Sequence, residues 1–140
     1  MPERNTPSRS GDLLRLPVAG GVICHAGEMA CVYRSTGYTQ PGAEGENQLR
    51  AVGRYADTAD NSAGVIGGEI FVTIEPGIYR WEDRANGGAS IALRDIGQPA
   101  YISGPDSVAA DAATVANAAR GVAGVIVDVD DDGVWVRTAV

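Results

Sequence analysis

The stretch VIVDVDDDGVWVR, residues 125–137, constrains the fold more than any other part of this chain. Val125, Val127 and Val129 alternate with Ile126 and Asp128, and Val134 and Val136 alternate with Trp135 and Arg137. A period of two sends successive side chains to opposite faces of a strand, whereas a helix brings together residues three and four apart. Between the runs lie residues 130–133, DDDG, of the types that tight turns select. An Asp side chain accepts from nearby backbone N–H groups, and Gly takes a positive φ without strain. The segment therefore reads as a hairpin with a four-residue loop. Asp128, Asp130, Asp132 and Gly133 also match the opening of a calcium loop. Such a loop needs a bidentate Glu at its twelfth position, here Ala139, and a helix on each side. β-Branched runs flank it instead, so no metal ligand set is expected.

The same alternation recurs upstream. Val22 to His25 and Met29 to Tyr33 flank Ala26-Gly27 and are expected to pair as a hairpin. Leu49 to Ala56 alternates, with Leu49, Ala51 and Gly53 on one side. Glu69 to Glu75 and Ile78 to Trp81 are two further runs, expected to pair across Pro76-Gly77. One short helix is expected over Ile91 to Arg94, capped by Ser90, with Gly97 just past its end. PAYISG returns to strand, and the Ala-rich residues 106–120 read as strand and loop. The expected fold class is mainly β: a small antiparallel β-barrel or sandwich-like domain over residues 20–140, with one short helix. The 19 Gly and 7 Pro fall largely at the breaks between these runs.

Residues 1–19 have neither period. Pro2, Pro7 and Pro17 bias their neighbours toward extended backbone, so the segment reads as an extended N-terminal arm able to reach about 60 Å. It carries +1, leaving −8 on residues 20–140 of a chain whose net charge is −7. Leu13, Leu14, Leu16 and Val18 favour a docking arm over a solvated tail. The acidic balance argues against nucleic acid as a partner, where a basic face would be needed to neutralise phosphates. No apolar run is long enough to suggest a membrane segment or a signal peptide. Cys24 and Cys31, the only cysteines, read as reduced and apolar. In the expected hairpin Cys24 faces Met29, which disfavours a disulfide.

Catalytic constellations are sparse. His25 is the only histidine. No HExxH, G-x-S-x-G or phosphate-cradling glycine motif occurs, and adjacent carboxylates such as Glu82 and Asp83 would point to opposite faces of a strand. The expectation is a protein without enzymatic activity and without a cofactor. The aromatic residues, two Trp, five Tyr and one Phe, are spread along the chain with no local cluster.

Four segments in this order carry a resemblance: RNTPSRSGDLLRLPVAGGVICHAGEMACV, DNSAG, VTIEPGIYRW and GVAGVIVDVDDDGVWV. Together they resemble the capsid cement, or head decoration, proteins of tailed phages and Mu-like prophages, which are comparable in role to the head decoration protein of lambda. The resemblance spans nearly the whole chain from Arg4 to Val136, and its motifs are structural rather than catalytic. It implies a β-rich, barrel-like virion protein that forms homotrimers on the outer surface of the expanded head. There it clamps major capsid protein subunits, after passing through the host cytoplasm during assembly. It also implies that the arm reaches the capsid lattice through Arg4, Asn5, Thr6, Pro7, Arg9, Gly11, Asp12 and Leu14. On that basis, removal of residues 1–17 is expected to leave a folded trimer that no longer coats heads. The alternative expectation is a small β-barrel binding module for a peptide or sugar, in a tail or host-surface component.

Overall fold

The computed structural model describes residues 13–64, 66–84, 90–113 and 119–138. Its strands are β1 (Leu14–Pro17), β2 (Ile23–Cys24), β3 (Met29–Tyr33), β4 (Thr39–Pro41), β5 (Leu49–Tyr55) and β6 (Ala59–Asp60). These are followed by β7 (Phe71–Glu75), β8 (Ile78–Asp83), β9 (Pro99–Ile102), β10 (Ser107–Ala109), β11 (Val122–Asp130) and β12 (Gly133–Arg137). The fold is mainly β.

Five strands close into a barrel in the order β11-β12-β8-β10-β9, with β9 returning to pair with β11. All these pairs are antiparallel except β8 with β10, which runs parallel. Closure satisfies both edges of each strand and removes the open backbone row that a flat sheet presents. The second half is an open sheet, β1-β7-β5-β3-β4, joined to the barrel where β5 meets β11 in parallel at Arg50 and Val122. β2 and β6 form a separate two-stranded ribbon.

Alternation explains the core. Val134 and Val136 of β12, Ile126 of β11, Trp81 of β8, Ala100 and Ile102 of β9, and Val108 of β10 are buried in one cluster. Met29 and Cys31 of β3 and Leu49 and Ala51 of β5 complete it. The opposite faces of the same two strands, Ala30 on one and Val52 and Tyr55 on the other, belong to a second cluster with Val18, Cys24, Val72 and Ile74. β3 and β5 are thus apolar on both sides because each lies between two cores. Gly53 sits where β5 meets β7, and a Cβ there would come within 2.5 Å of the Glu75 carbonyl. Gly124 adopts φ +147° at a bulge in β11, where a side chain would strike the Arg137 carbonyl.

The terminal hairpin forms, with a tighter turn than the four-residue loop expected: Asp130 pairs with Gly133, leaving only Asp131 and Asp132 at its centre. Two other expected hairpins do not form. The chain does turn between His25 and Glu28, whose N–H donates to the His25 carbonyl at 3.1 Å. However, β2 pairs with β6 and β3 pairs with β5. Tyr55 exchanges backbone hydrogen bonds with Gly27 and Glu28, and the Met29 N–H donates to Pro105, so the groups a β2–β3 ladder would use are already engaged. Across Pro76-Gly77, β7 and β8 part to different halves of the molecule. Gly77 donates to the Thr138 hydroxyl at 3.1 Å and accepts the Thr138 N–H at 3.0 Å, which ties this link to the C-terminal strand.

The expected helix over residues 91–94 is a single 3₁₀ turn, Leu93–Asp95, started by the Ala92 N–H donating to the Asp95 carboxylate at 2.8 Å. Ser90 is exposed and does not cap it; Gly97 follows with φ +91°. Residues 106–113 and 119–120 are strand and loop, as read from the sequence. The loop is pinned by buried Arg120, which pairs with Glu44 at 2.5 Å and donates to the carbonyls of Asp111 and Ala113.

The last part of the expected arm, residues 14–18, belongs to the domain. Leu14–Pro17 is a strand of the domain, in register with β7 from Leu14↔Ile74 to Pro17↔Phe71, and Val18 is fully buried. The physical reason lies in the apolar side chains: Leu14 and Leu16 pack onto the second cluster, which they cover.

Candidate interaction surface

Of the expected arm residues, the structure places Leu14 alone, and it places it in β1 against the core of its own chain. Arg4, Asn5, Thr6, Pro7, Arg9, Gly11 and Asp12 lie outside the described residues. Among the described residues Leu14–Pro17 pairs with β7 alone, so β1 is an edge of the sheet as far as Val18, which bridges Thr39 of β4. Pro17 suits that position, because it has no N–H to offer a further strand. On its outer face Arg15 lies over the Phe71 ring at 5.7 Å, while Leu13 is 53% exposed where the chain enters the domain.

The barrel exterior carries three further features. The first is a groove of about 480 Å³ lined by Gly27, Arg54, Ile78, Tyr79, Arg80, Trp81 and Trp135. Residues far apart in sequence meet here because β8 and β12 pair with Trp135 opposite Arg80. Tyr79 and Trp81 pack edge to face with centroids 6.0 Å apart. Arg54 lies over Tyr79 at 4.6 Å and Arg80 over Trp135 at 5.8 Å. Each guanidinium has one carboxylate nearby, Glu75 at 3.5 Å and Asp132 at 3.8 Å. Stacking on an aromatic face leaves in-plane N–H groups available to a partner. The Tyr79 hydroxyl donates to the Glu75 carbonyl at 2.6 Å, and burial, reinforced by the Glu75 charge, raises its pKa.

The second feature is the acidic tip of the β11–β12 hairpin. The Asp130 carboxylate accepts from the Asp132 and Gly133 amides at 2.8 and 3.0 Å and from the Trp135 indole N–H at 2.8 Å. The indole contact, then the amides, hold this carboxyl below its ordinary range. The oxygens that a calcium loop would turn toward an ion are instead spent on the turn. Nearby, Asp83 accepts from the Ile91 N–H at 3.0 Å, and burial raises its pKa. Among the described residues no group of three or more His, Cys, Asp or Glu side chains is arranged to hold a metal ion.

The third feature is an apolar row across four barrel strands. Register aligns Pro99 of β9 with Val125 of β11, Arg137 of β12 and Ile78 of β8. All four are exposed, Ile78 at 47% and Val125 at 42%. Val122 and Tyr101, paired one step further along, extend the row on the same face.

The nucleophile inventory is inward-facing or unsupported. Cys24 and Cys31 are both buried and unpaired, and burial raises both thiol pKa values. Tyr55, bonded to the Thr39 hydroxyl at 2.8 Å, is likewise raised by burial. His25 is on the surface, where Nδ1 lies 3.1 Å from the Glu28 carboxylate, so its one contact braces a turn. Nothing local in the sequence signalled that Trp135 would line a groove with Tyr79 and Trp81. Tyr79 and Trp81, two apart on one strand, share a face by rule, but the pairing of β8 with β12 that sets Trp135 opposite Arg80 was not legible. Trp81 is 5% exposed, in the core, whereas Trp135 points outward under Arg80.

No protein-family model, curated protein or solved structure matches this chain. Its surface features therefore stand on their own geometry.

Proposed function

We propose that this chain is a structural virion protein: a trimeric decoration protein that binds the outside of an expanded phage head and stabilises contacts between major capsid protein subunits. The observation that carries this reading is how the chain enters its domain. Twelve residues precede Leu13, rich in Pro, Ser and Arg, and they lead directly into an edge strand of the open sheet. A polar segment anchored at a sheet edge is suited to add main-chain hydrogen bonds to a neighbouring protein at little steric cost. Three such segments on one trimer multiply weak contacts into durable attachment. A partner that binds only the expanded lattice stabilises that state over its precursor by mass action. The role is binding, with no catalysis and no cofactor.

The test is a deletion ending at residue 12, since removal of residues 1–17 would also strip β1 from the second core. The shortened protein is expected to keep its melting temperature and trimeric mass while losing occupancy on expanded, emptied heads of the cognate phage, counted by electron microscopy. Full occupancy by this variant would overturn the arm's role. A head exterior that takes up no full-length protein would overturn the decoration reading itself.

The groove favours a second reading, a β-barrel binding module. Aromatic side chains with two stacked guanidiniums are the side chains that anchor peptides or sugars in recognition sites. Under this reading the protein is a monomer and binding survives deletion of residues 1–12.

A further inference from the structure

We infer that the apolar row Pro99–Val125–Ile78 with Arg137 in its midst is the surface on which a second copy of this chain docks, through the acidic tip of that copy's β11–β12 hairpin. The inference rests on the trimer reading and names the contact that builds it.

Three observations point there. First, the row lies on the outside of a closed barrel, where interior packing gives no reason for apolar side chains. Leu93 and Ile96, 65% and 46% exposed, flank its β9 end, where Gly97 bonds to Ile126. Second, the row carries positive charge on a chain of net −7. Arg137 sits within it, Arg50 pairs with Val122 beside it, and Arg94 is exposed next to Leu93. Among the described residues Arg137 forms no ion pair. Asp95, the nearest acid in sequence to Arg94, uses a carboxylate oxygen to bind the Ala92 N–H. Third, the acidic cluster of the same ribbon is out of reach, and the nearer Asp128, opposite Trp135, accepts from the Val129 N–H at 2.8 Å. Asp131 and Asp132 stand at the far end of the same ribbon, roughly 17 Å from Arg137 at the rise of an extended strand. Asp131 is exposed, and the carboxylate of its neighbour Asp132 has one ion pair, with Arg80 at 3.8 Å.

These facts select the geometry of association. A twofold contact centred on the row would set Arg137 against Arg137, and like charges across an interface oppose docking. Tip against row is a head-to-tail contact: each copy offers one surface and receives another. Such a contact closes into a ring when the rotation permits. A ring of three satisfies every row and every tip. The apolar row would supply the buried area and the Asp–Arg contacts the register.

The experiment is sedimentation velocity on the full chain and on Val125→Asp, Arg137→Asp, Asp131→Arg and the double variant Arg137→Asp/Asp131→Arg, each first checked for an unchanged melting temperature. Asp131 is exposed at the centre of a turn, so its variant reads assembly even if a strand variant fails to fold. Wild type is expected to sediment as a trimer, and each single charge reversal is expected to weaken assembly by about tenfold or more. The double variant, with both charges exchanged, is expected to recover to within about threefold of wild type, and Val125→Asp to remain monomeric. A wild-type trimer indifferent to all four changes overturns the inference while leaving the trimer reading intact. Loss in both single variants without recovery in the double variant overturns the tip-to-row pairing. A wild type that stays monomeric at about 100 μM overturns both, since a trimer contact weaker than that falls outside stable assemblies.

Discussion

The barrel and the open sheet are built from the same alternating strands, yet they end differently. In the barrel each strand has a neighbour on both sides, and the chain's longest strand, β11, pairs with β12, β9 and β5. In the sheet, β1 and β4 are terminal strands of four and three residues, and they meet only at their ends, where Val18, just past β1, bridges Thr39. An edge strand holds one ladder of hydrogen bonds where an interior strand holds two, so it opens at lower cost. The barrel is thus the rigid body of the molecule. The sheet half, where the N-terminal segment enters, is the part through which the proposed function has the chain reach another protein.

That difference is open to a direct challenge by mutation. Ile126→Ala removes a fully buried side chain from the barrel core and is expected to cost about 2–5 kcal/mol in urea denaturation. Leu16→Ala on half-buried β1 is expected to cost about 1 kcal/mol. Equal losses would mean that the two halves share one level of stability and the contrast is false.

The two cysteines sharpen the comparison, since each is buried in a different cluster. Both thiols are held protonated by burial, so alkylation of either requires opening. Under native conditions at pH 8, Cys24 on the two-stranded ribbon is expected to react at least tenfold faster than Cys31, which β3 turns into the core it shares with the barrel. Tandem mass spectrometry of the tryptic fragment 16–34, which holds both cysteines, shows which of the two carries the label after timed alkylation. The reverse order would place the weak point in the core that β3 shares with the barrel.

The smallest expected effect concerns the barrel's own turn. Contacts from Trp135 and the turn amides lower the folded pKa of Asp130, so the stability they add is complete above the unfolded Asp value, about 3.9, and is lost as pH falls through the folded value. Asp130→Asn is therefore expected to flatten the acid limb of the melting temperature between pH 5 and 2. An unchanged acid limb would show that the turn's carboxylate adds nothing measurable to the barrel.

Much of this fold was legible locally. The β11–β12 hairpin was read correctly because its signals, period-two runs and an Asp-Gly turn, lie within one short stretch. The turns at Gly27 and at Pro76-Gly77 were legible for the same reason. The partners of the flanking strands were not. A turn sets the direction of the chain, but it does not decide whether the next strand returns to the last one or continues to another core. The interaction surfaces divide in the same way. The arm's polarity and its leucines are visible in composition, while the meeting of Arg54, Tyr79 and Trp135, and the row of Ile78, Val125 and Pro99, exist because strands distant in sequence became neighbours.

By itself the sequence determined a β-rich chain with a hairpin at its end, a paucity of activated groups and an acidic body behind a polar lead-in. Each of these depends on one residue or on neighbours a few positions apart. Only the tertiary structure decided that β3 and β5 lie between two cores, that Leu14 and Leu16 belong to the domain, and which side chains share the outer face of the barrel. Those outcomes depend on which apolar faces find each other across long loops, and no local propensity encodes that choice.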